Sequence, residues 1–140
     1  MRLKKQECDV VYIKLPTTDG EPPQEFAVFA MTIRQRTRME TILAHCGATS
    51  IREALLISAV DQVESGDGKW VRSPAFDTAD FVDQVDKDEA PEGLSKSQLE
   101  SWIESEALKL LVADLSTWPA SQLEPLVQIA QAKNPWLGNV

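Results

Sequence analysis

The sequence has few of the residues that build disulfide or metal-linked frameworks. It contains two cysteines, Cys8 and Cys46, and a single histidine, His45, among its 140 residues. This composition excludes a disulfide scaffold and a zinc site made of cysteine and histidine alone. Neighbouring residues on a helix point about 100° apart, so His45 and Cys46 cannot act as a catalytic dyad. We therefore predict no enzyme, and no catalytic, metal or cofactor residues.

Long hydrophobic runs are also missing. No stretch approaches the roughly 18 apolar residues of a membrane-spanning helix, and the basic N-terminus lacks the apolar segment and cleavage site of a secretory signal. The chain is 43% hydrophobic and 26% charged, values typical of a globular protein. Its length is sufficient for one domain with a core of its own. We expect a cytoplasmic protein that does not bind membranes.

Positive charge is scarce in the second half of the chain. Residues 1–72 carry ten basic and ten acidic residues, whereas residues 73–140 carry four basic and twelve acidic ones, so the formal charge of -8 belongs to the second half. Such a surface repels nucleic-acid phosphates and anionic lipids. It attracts a basic protein or the less acidic half of a second copy, unless the charge serves solubility alone.

Aspartates recur at every third position between residues 77 and 88. No glycine interrupts them, as one does in a calcium-binding loop. The spacing predicts the solvated face of a short amphipathic helix, with Phe81, Val82 and Val85 turned inward. The outward aspartates are Asp80, Asp83 and Asp86.

Residue types and turn signals predict an N-terminal antiparallel hairpin. Residues 10–15 and 25–31 form two strands, separated by a loop with Asp19-Gly20 and three prolines. Both faces of the second strand are apolar, so we expect that strand to be covered on both sides, and helices or another chain to cover the hairpin. Residues 70–71 form a further short strand after a turn at residues 66–69.

Helical spacing dominates most of the remaining chain. A capping box of Thr32 and Gln35 opens a first helix, which Gly47 ends. A second box, Ser50 and Glu53, opens a helix over residues 51–65 that is apolar around most of its circumference, as expected in the middle of a core.

The two longest helices are predicted in the acidic half. One runs over residues 97–115 behind a capping box of Ser97 and Glu100. Its expected buried stripe contains Leu99, Trp102, Ile103, Leu110 and Leu111. The other runs from about residue 118 to 133 and is bent or restarted at Pro125. Together these elements predict an α+β fold, mostly helical, in which the hairpin packs on about five helices. Residues 1–133 form one domain and residues 134–140 a C-terminal tail.

Four residues are candidates for binding a partner. Arg34 and Arg38 lie on one face of the first helix, where they form a docking patch for an acidic surface or an ordinary exposed face. Trp136 and Leu137 lie in the tail, where they either fold back onto the core or contact a partner.

The order of elements resembles that of the tail assembly chaperones of long-tailed bacteriophages. The segment from Met31 to Arg36 corresponds to the polar stretch that introduces the first helix of that family, although it keeps only the capping threonine and lacks the Glu-Arg pair. The segment Asp67-Gly68-Lys69-Trp70 corresponds to a turn followed by an aromatic residue. The resemblance implies a non-enzymatic protein of the host cytoplasm, absent from the virion, that binds the tape measure protein. It also implies self-association, and the tail tube protein is a second candidate partner.

An acidic inhibitor is the alternative function. Such a protein, a DNA mimic or an immunity-type protein, would block a basic enzyme by presenting the carboxylates of the second half as phosphate surrogates. It needs carboxylates along one long face, whereas a chaperone needs apolar grooves or edges that accept the helices of its client. The several apolar stripes of this sequence favour the chaperone.

Overall fold

A computed structural model of the chain describes residues 3–4, 9–15, 20, 23–63, 70–71 and 73–138. The strands are β1 (Val10–Leu15), β2 (Gln24–Phe29), β3 (Val60–Val63) and β4 (Trp70–Val71). The helices are α1 (Ile33–Cys46), α2 (Ile51–Ala59), α3 (Ala79–Val82), α4 (Lys96–Leu115) and α5 (Ala120–Lys133). The fold is therefore α+β and mostly helical, with the hairpin packed on five described helices, as predicted.

The sheet is antiparallel, with the strands in the order β1, β2, β3, β4. Ile13, Phe26 and Val28 project from one face into the hydrophobic core. On the opposite face Tyr12 is 55% exposed beside its cross-strand partner Ala27. The prediction that the second strand is covered on both sides is confirmed, because Phe26, Ala27 and Val28 are all buried; the exposed Tyr12 belongs to β1.

The predicted helix over residues 51–65 is wrong in its second half. Helix α2 ends at Ala59, and the chain continues directly as β3, in which Val60 pairs with Val28 of β2. Val60 and Val63 are three residues apart, a spacing that also fits a helix, so four residues were too few for periodicity to separate the strand from a continuing helix. Residues 54–59 are all buried, which confirms that α2 lies in the middle of the core. The turn predicted at residues 66–69 lies outside the described residues.

The capping box predicted at Ser50 does not form. Ser50 belongs to a 3₁₀ turn over Ala48–Ser50, and its hydroxyl donates to the carbonyl oxygen of Cys46. By contrast, the predicted box at Thr32 and Gln35 is present with both of its hydrogen bonds. The difference lies in the preceding chain, because Thr32 follows an extended segment whereas Ser50 continues a turn.

Helix α4 begins two residues before the predicted position. Ser95 caps the helix: its hydroxyl accepts from Gln98 N at 3.2 Å, and the Gln98 side chain accepts from Ser95 N at 2.9 Å. Ser97 and Glu100 lie within the first turns instead of forming the box. Leu111 is buried as predicted, whereas Leu110 is 37% exposed and the assignment of that residue to the buried stripe is wrong.

Replacing Ser95 by alanine should destabilise the protein by about 1 kcal/mol, since the first turn of α4 loses its side-chain acceptor. Ser101→Ala is the matched control, because Ser101 is an exposed serine further along the same helix and takes no part in the cap. Urea unfolding measures the free energy of unfolding of both variants. An equal loss in the two variants would contradict the cap at Ser95.

The helix predicted over residues 77–88 is also too long, because α3 comprises only four residues. The Asp77 side chain accepts from Thr78 N at 2.7 Å, and that of Asp86 accepts from Asp88 N at 3.0 Å. Such local bonds compete with helix formation at both ends of the segment. The inward side of the pattern is confirmed, as Val85 is buried. The predicted outward aspartates Asp80, Asp83 and Asp86 are exposed.

Helix α5 begins at Ala120, two residues after the predicted start. It continues through Pro125 as one helix and does not restart there. Leu126, Val127 and Ala130 are buried against the sheet and α2. The helix ends at Asn134-Pro135, as predicted, and a 3₁₀ turn follows over Pro135–Leu137.

Candidate interaction surfaces

The first helix presents its arginines in different surroundings. Arg34 is exposed, whereas Arg38 is half-buried and its Nε is buried without a hydrogen-bond partner. Arg36 lies between them and forms an ion pair with Glu40 at 3.4 Å. The guanidinium of Arg36 also lies over the ring of Trp136, 4.0 Å from its centroid. The α1 residue that meets the tail is therefore Arg36, and neither Arg34 nor Arg38 is part of that contact.

The two candidate residues of the tail have separate environments. Leu137 is half-buried and packs against the hydrophobic core, whereas Trp136 is 44% exposed. The open part of the indole and the adjacent Arg36 make a small surface with both apolar and cationic character. A cation held over an aromatic ring at an exposed site contributes about 0.5–1 kcal/mol. This stacking orients the ring while leaving part of it accessible.

A buried asparagine attaches the tail to the sheet. The side-chain oxygen of Asn134 accepts from Met31 N at 2.7 Å, and its amide nitrogen donates to Phe29 O at 3.0 Å and Ala130 O at 2.8 Å. Asn134 is only 1% exposed. It joins the end of α5 to the connection between β2 and α1. The sequence signal was an Asn-Pro pair, which indicated only the end of a helix.

A cleft opens between α2 and the junction of α4 with α5. We call it the α2–α5 cleft. Its volume is ≈ 140 Å³. Its apolar lining consists of Leu56, Leu115, Trp118, Leu123 and Val127, together with Pro119 and Ala120 at the junction. The polar lining residues are Arg52, Glu53, Ser116 and Glu124.

One oxygen in the wall of the cleft lacks a hydrogen-bond partner. Oε2 of Glu53 is buried, and no donor lies within hydrogen-bonding distance. A buried acceptor without a donor costs about 1–3 kcal/mol, and more when it is charged. Glu53 is thus a residue of the lining whose Oε2 is sealed from solvent.

The rim of the cleft is held by two polar contacts. Arg52 of α2 forms an ion pair with Glu124 of α5. The indole nitrogen of Trp118 donates to the Asp114 carboxylate at 3.1 Å. The ion pair joins α2 to α5 across the cleft, and the second contact fixes the orientation of the Trp118 ring at the helix junction. These two contacts therefore hold the side chains at the opening of the cleft in defined orientations.

The described thiol and the imidazole lie in different surroundings. Burial raises the pKa of the Cys46 thiol, the nearby Lys109 lowers it, and Glu53 raises it further, with the net effect upward. The thiol consequently stays protonated at neutral pH and is a weak nucleophile. His45 is exposed near the end of α1.

Two further kinds of feature are absent from the part of the chain that the structure describes. Among the residues that the structure describes, no group of three or more histidine, cysteine, aspartate or glutamate side chains is arranged to hold a metal ion. Within the same part of the chain, no helix combines the length and apolar character needed to cross a bilayer.

Sequence reasoning missed the cleft entirely. Glu53 was assigned to a helix cap, and Trp118 to the start of a helix within the core. The relevant signal was the Trp118-Pro119 junction, which prevents α4 from continuing into α5. The cleft also depends on the distance between α2 and that junction. Tertiary packing sets this distance, and the spacing of residues along the sequence does not reveal it.

Comparisons of the chain with protein-family models, with curated proteins and with solved structures gave no match.

Proposed function

We propose that the protein is a non-enzymatic chaperone that binds a helical client, and that the client is the tape measure protein of a long-tailed bacteriophage. The observation that carries the chaperone role is the α2–α5 cleft, an apolar recess with oriented polar groups at its rim. The resemblance of the first strands, the capping threonine and the later turn supplies the identity of the client. In this role the protein acts in the host cytoplasm and is absent from the finished particle.

The dimensions of the cleft support protein binding. Small-molecule sites usually have volumes of about 300–1,000 Å³, which is well above the ≈ 140 Å³ measured here. A recess of this size accommodates one anchoring side chain of a larger partner, as the central pockets of protein interfaces do. A helical client inserts such a side chain while the rest of the helix lies across the surface.

The charge distribution supports self-association and contact with basic proteins. The neutral first half carries Arg34 on an exposed face, and the second half carries the whole net charge of -8. Unlike surfaces on one molecule favour head-to-tail contacts between copies. The tail tube protein remains the second proposed partner, since assembly brings it together with the tape measure protein.

Co-expression with the proposed client, a tape measure protein from the same genome, tests the proposal. We expect a soluble complex that survives purification, and a smaller yield of soluble tape measure protein without the chaperone. Ala120→Phe fills the cleft from its rim and should abolish the complex. Ser121→Phe places the same ring on the neighbouring exposed position, which does not line the cleft, and should leave the complex intact. Failure of the wild-type protein to form any complex would refute the chaperone proposal.

The acidic-inhibitor alternative receives less support from the same structure. The exposed aspartates between residues 77 and 88 lie on a four-residue helix and on turns. A phosphate mimic requires carboxylates along an extended face, and this segment provides a short, bent one.

A further inference from the structure

One side of α1 carries positive charge that no described residue neutralises. Arg34 is exposed, and Arg38 lies one turn further along the same side of the helix. Neither arginine forms an ion pair or a side-chain hydrogen bond with any described residue. Glu40, the single acidic residue of α1, is already paired with Arg36. We call the surface formed by Arg34 and Arg38 the α1 basic face.

The opposite charge is exposed in the connection that leads from α3 to α4. Residues 80–92, which we call the acidic segment, expose one basic side chain, Lys87, and six carboxylates. The six are Asp80, Asp83, Asp86, Asp88, Glu89 and Glu92. None of them forms an ion pair within the part of the chain that the structure describes. The molecule therefore exposes two surfaces of opposite charge, each without a counter-charge of its own.

The charges on the two surfaces have similar spacing. Arg34 and Arg38 are separated by about 6 Å along the helix axis, since each residue of a helix rises about 1.5 Å. Asp80 and Asp83, at the start and end of α3, are separated by about 4.5 Å on the same basis. Arginine and carboxylate groups form strong charge-assisted hydrogen bonds, and long arginine side chains accommodate the small difference in spacing. Two Arg–Asp pairs can consequently form in one contact.

An apolar side chain lies beside the α1 basic face. Ile33, the residue before Arg34, is 88% exposed, more than any other large apolar side chain of the described helices. Exposed ion pairs are individually weak because water and salt screen them. Burial of Ile33 in the same contact adds the apolar contribution that charge pairs lack.

We propose that the α1 basic face, together with Ile33, docks on the acidic segment of a second copy of this chain. Arg34 and Arg38 pair there with Asp80 and Asp83. Charge complementarity selects this occupant, because every copy carries both surfaces and no ion pair joins them within the described part of one copy. The net charge of -8 opposes contacts in other orientations. The inference rests on the self-association in the proposed function and assigns the residues that produce it.

Sedimentation velocity of the full-length protein tests the contact. The wild type should form species larger than the monomer at low salt, and these should diminish toward 1 M salt, where the Debye length is about 3 Å. Arg34→Glu should weaken association by about tenfold, since it replaces an attraction by a repulsion. Ile33→Ser should also weaken it. Lys14→Glu is the matched control, because it changes the net charge equally at an exposed position of β1 and should leave association unchanged.

A mixture of two charge-reversed variants provides the sharpest measurement. One variant carries Arg34→Glu and Arg38→Glu, and the other carries Asp80→Lys and Asp83→Lys. Each variant alone brings like charges together and should sediment as a monomer. An equal mixture should associate again, because each surface then meets its opposite charge on the other variant. Circular dichroism of each variant verifies its fold, and the single change Arg34→Glu at an exposed position keeps the test valid if a double variant does not fold.

Three results would overturn the proposal. They are a wild type that is monomeric at every salt concentration, a mixture of folded variants that stays monomeric, and a loss in Lys14→Glu equal to that in Arg34→Glu. The co-expression experiment is independent, since it depends on the α2–α5 cleft. A tape measure complex with a monomeric wild type would refute this contact and retain the client. Restored association of the mixture without a tape measure complex would retain the contact and refute the client.

Discussion

Replacing Asn134 by leucine should destabilise the protein by about 3–5 kcal/mol, one of the largest effects of any single substitution. The side chain makes three hydrogen bonds, to Met31 N, Phe29 O and Ala130 O, in a position that is 1% exposed. Leucine has a similar size but can make none of these three hydrogen bonds, so the amide of Met31 and the buried carbonyl of Ala130 lose the bond to residue 134. Each buried polar group without a partner costs about 1–3 kcal/mol, and local relaxation recovers part of the sum.

Asn134→Asp tests the same contacts through pH. The carboxylate still accepts from Met31 N but faces the carbonyl oxygens of Phe29 and Ala130, to which asparagine donates. Burial and these two acceptors raise the pKa of the new carboxyl group above its value in the unfolded chain. Stability should therefore fall as pH rises above about 4, which is the unfolded pKa of aspartate.

Urea unfolding of both variants supplies the measurement, with the wild type measured at each pH. Gln131→Leu is the control, since it removes an exposed side-chain hydrogen bond to Gly138 O on the same tail and should cost less than about 1 kcal/mol. If Asn134→Leu were as stable as Gln131→Leu, the tail would not depend on this residue. A pH-independent loss in Asn134→Asp would contradict the donor role of the amide.

The attachment of the tail also stabilises the candidate surface formed by Trp136 and Arg36. Asn134 fixes the chain two residues before the indole, and Lys133 forms an ion pair with Asp9 at 2.8 Å. Trp136 is consequently presented in one orientation over α1. The sequence indicated an aromatic residue beyond the last helix, but the partner of that residue depends on how α5 packs against the sheet.

Local signals predicted the elements that local contacts determine. The capping box at Thr32, the strand at residues 10–15 and the end of the last helix at Asn134 each have a sequence signal within a few neighbouring residues. These features were placed correctly from the sequence, although the strand pairs with β2 and Asn134 bonds to distant residues.

Features that depend on distant contacts were misplaced or missed. Residues 60–63 form a strand because β2 and β4 pair with them, although the spacing of Val60 and Val63 also fits a continuation of α2. The α2–α5 cleft likewise arises where Glu53 and Trp118, far apart in sequence, line one recess. Buried polar atoms such as Glu53 Oε2 have no sequence signature, since the same residue type is common on exposed helix faces.

The adjacent residues Leu110 and Leu111 of α4 show how distant contacts decide which side chains of a helix are buried. Both were predicted to be buried, yet Leu111 is 0% exposed within the hydrophobic core and Leu110 is 37% exposed. Leu111→Ala should cost about 3–5 kcal/mol, because it removes buried methyl groups and leaves a cavity that the neighbouring helices fill only partly. Leu110→Ala should cost less than about 1 kcal/mol, since water already reaches that side chain.

Urea unfolding monitored by circular dichroism compares the two alanine variants directly. Helix propensity changes equally in both, so the difference reports packing alone. The slope of the transition should stay constant, which would show that the extent of unfolding is unchanged. Equal losses in the two variants would mean that α4 is rotated about its axis relative to this structure. The same rotation would move Leu115 away from the α2–α5 cleft, so this pair of variants also tests whether α4 presents the residue that lines that recess.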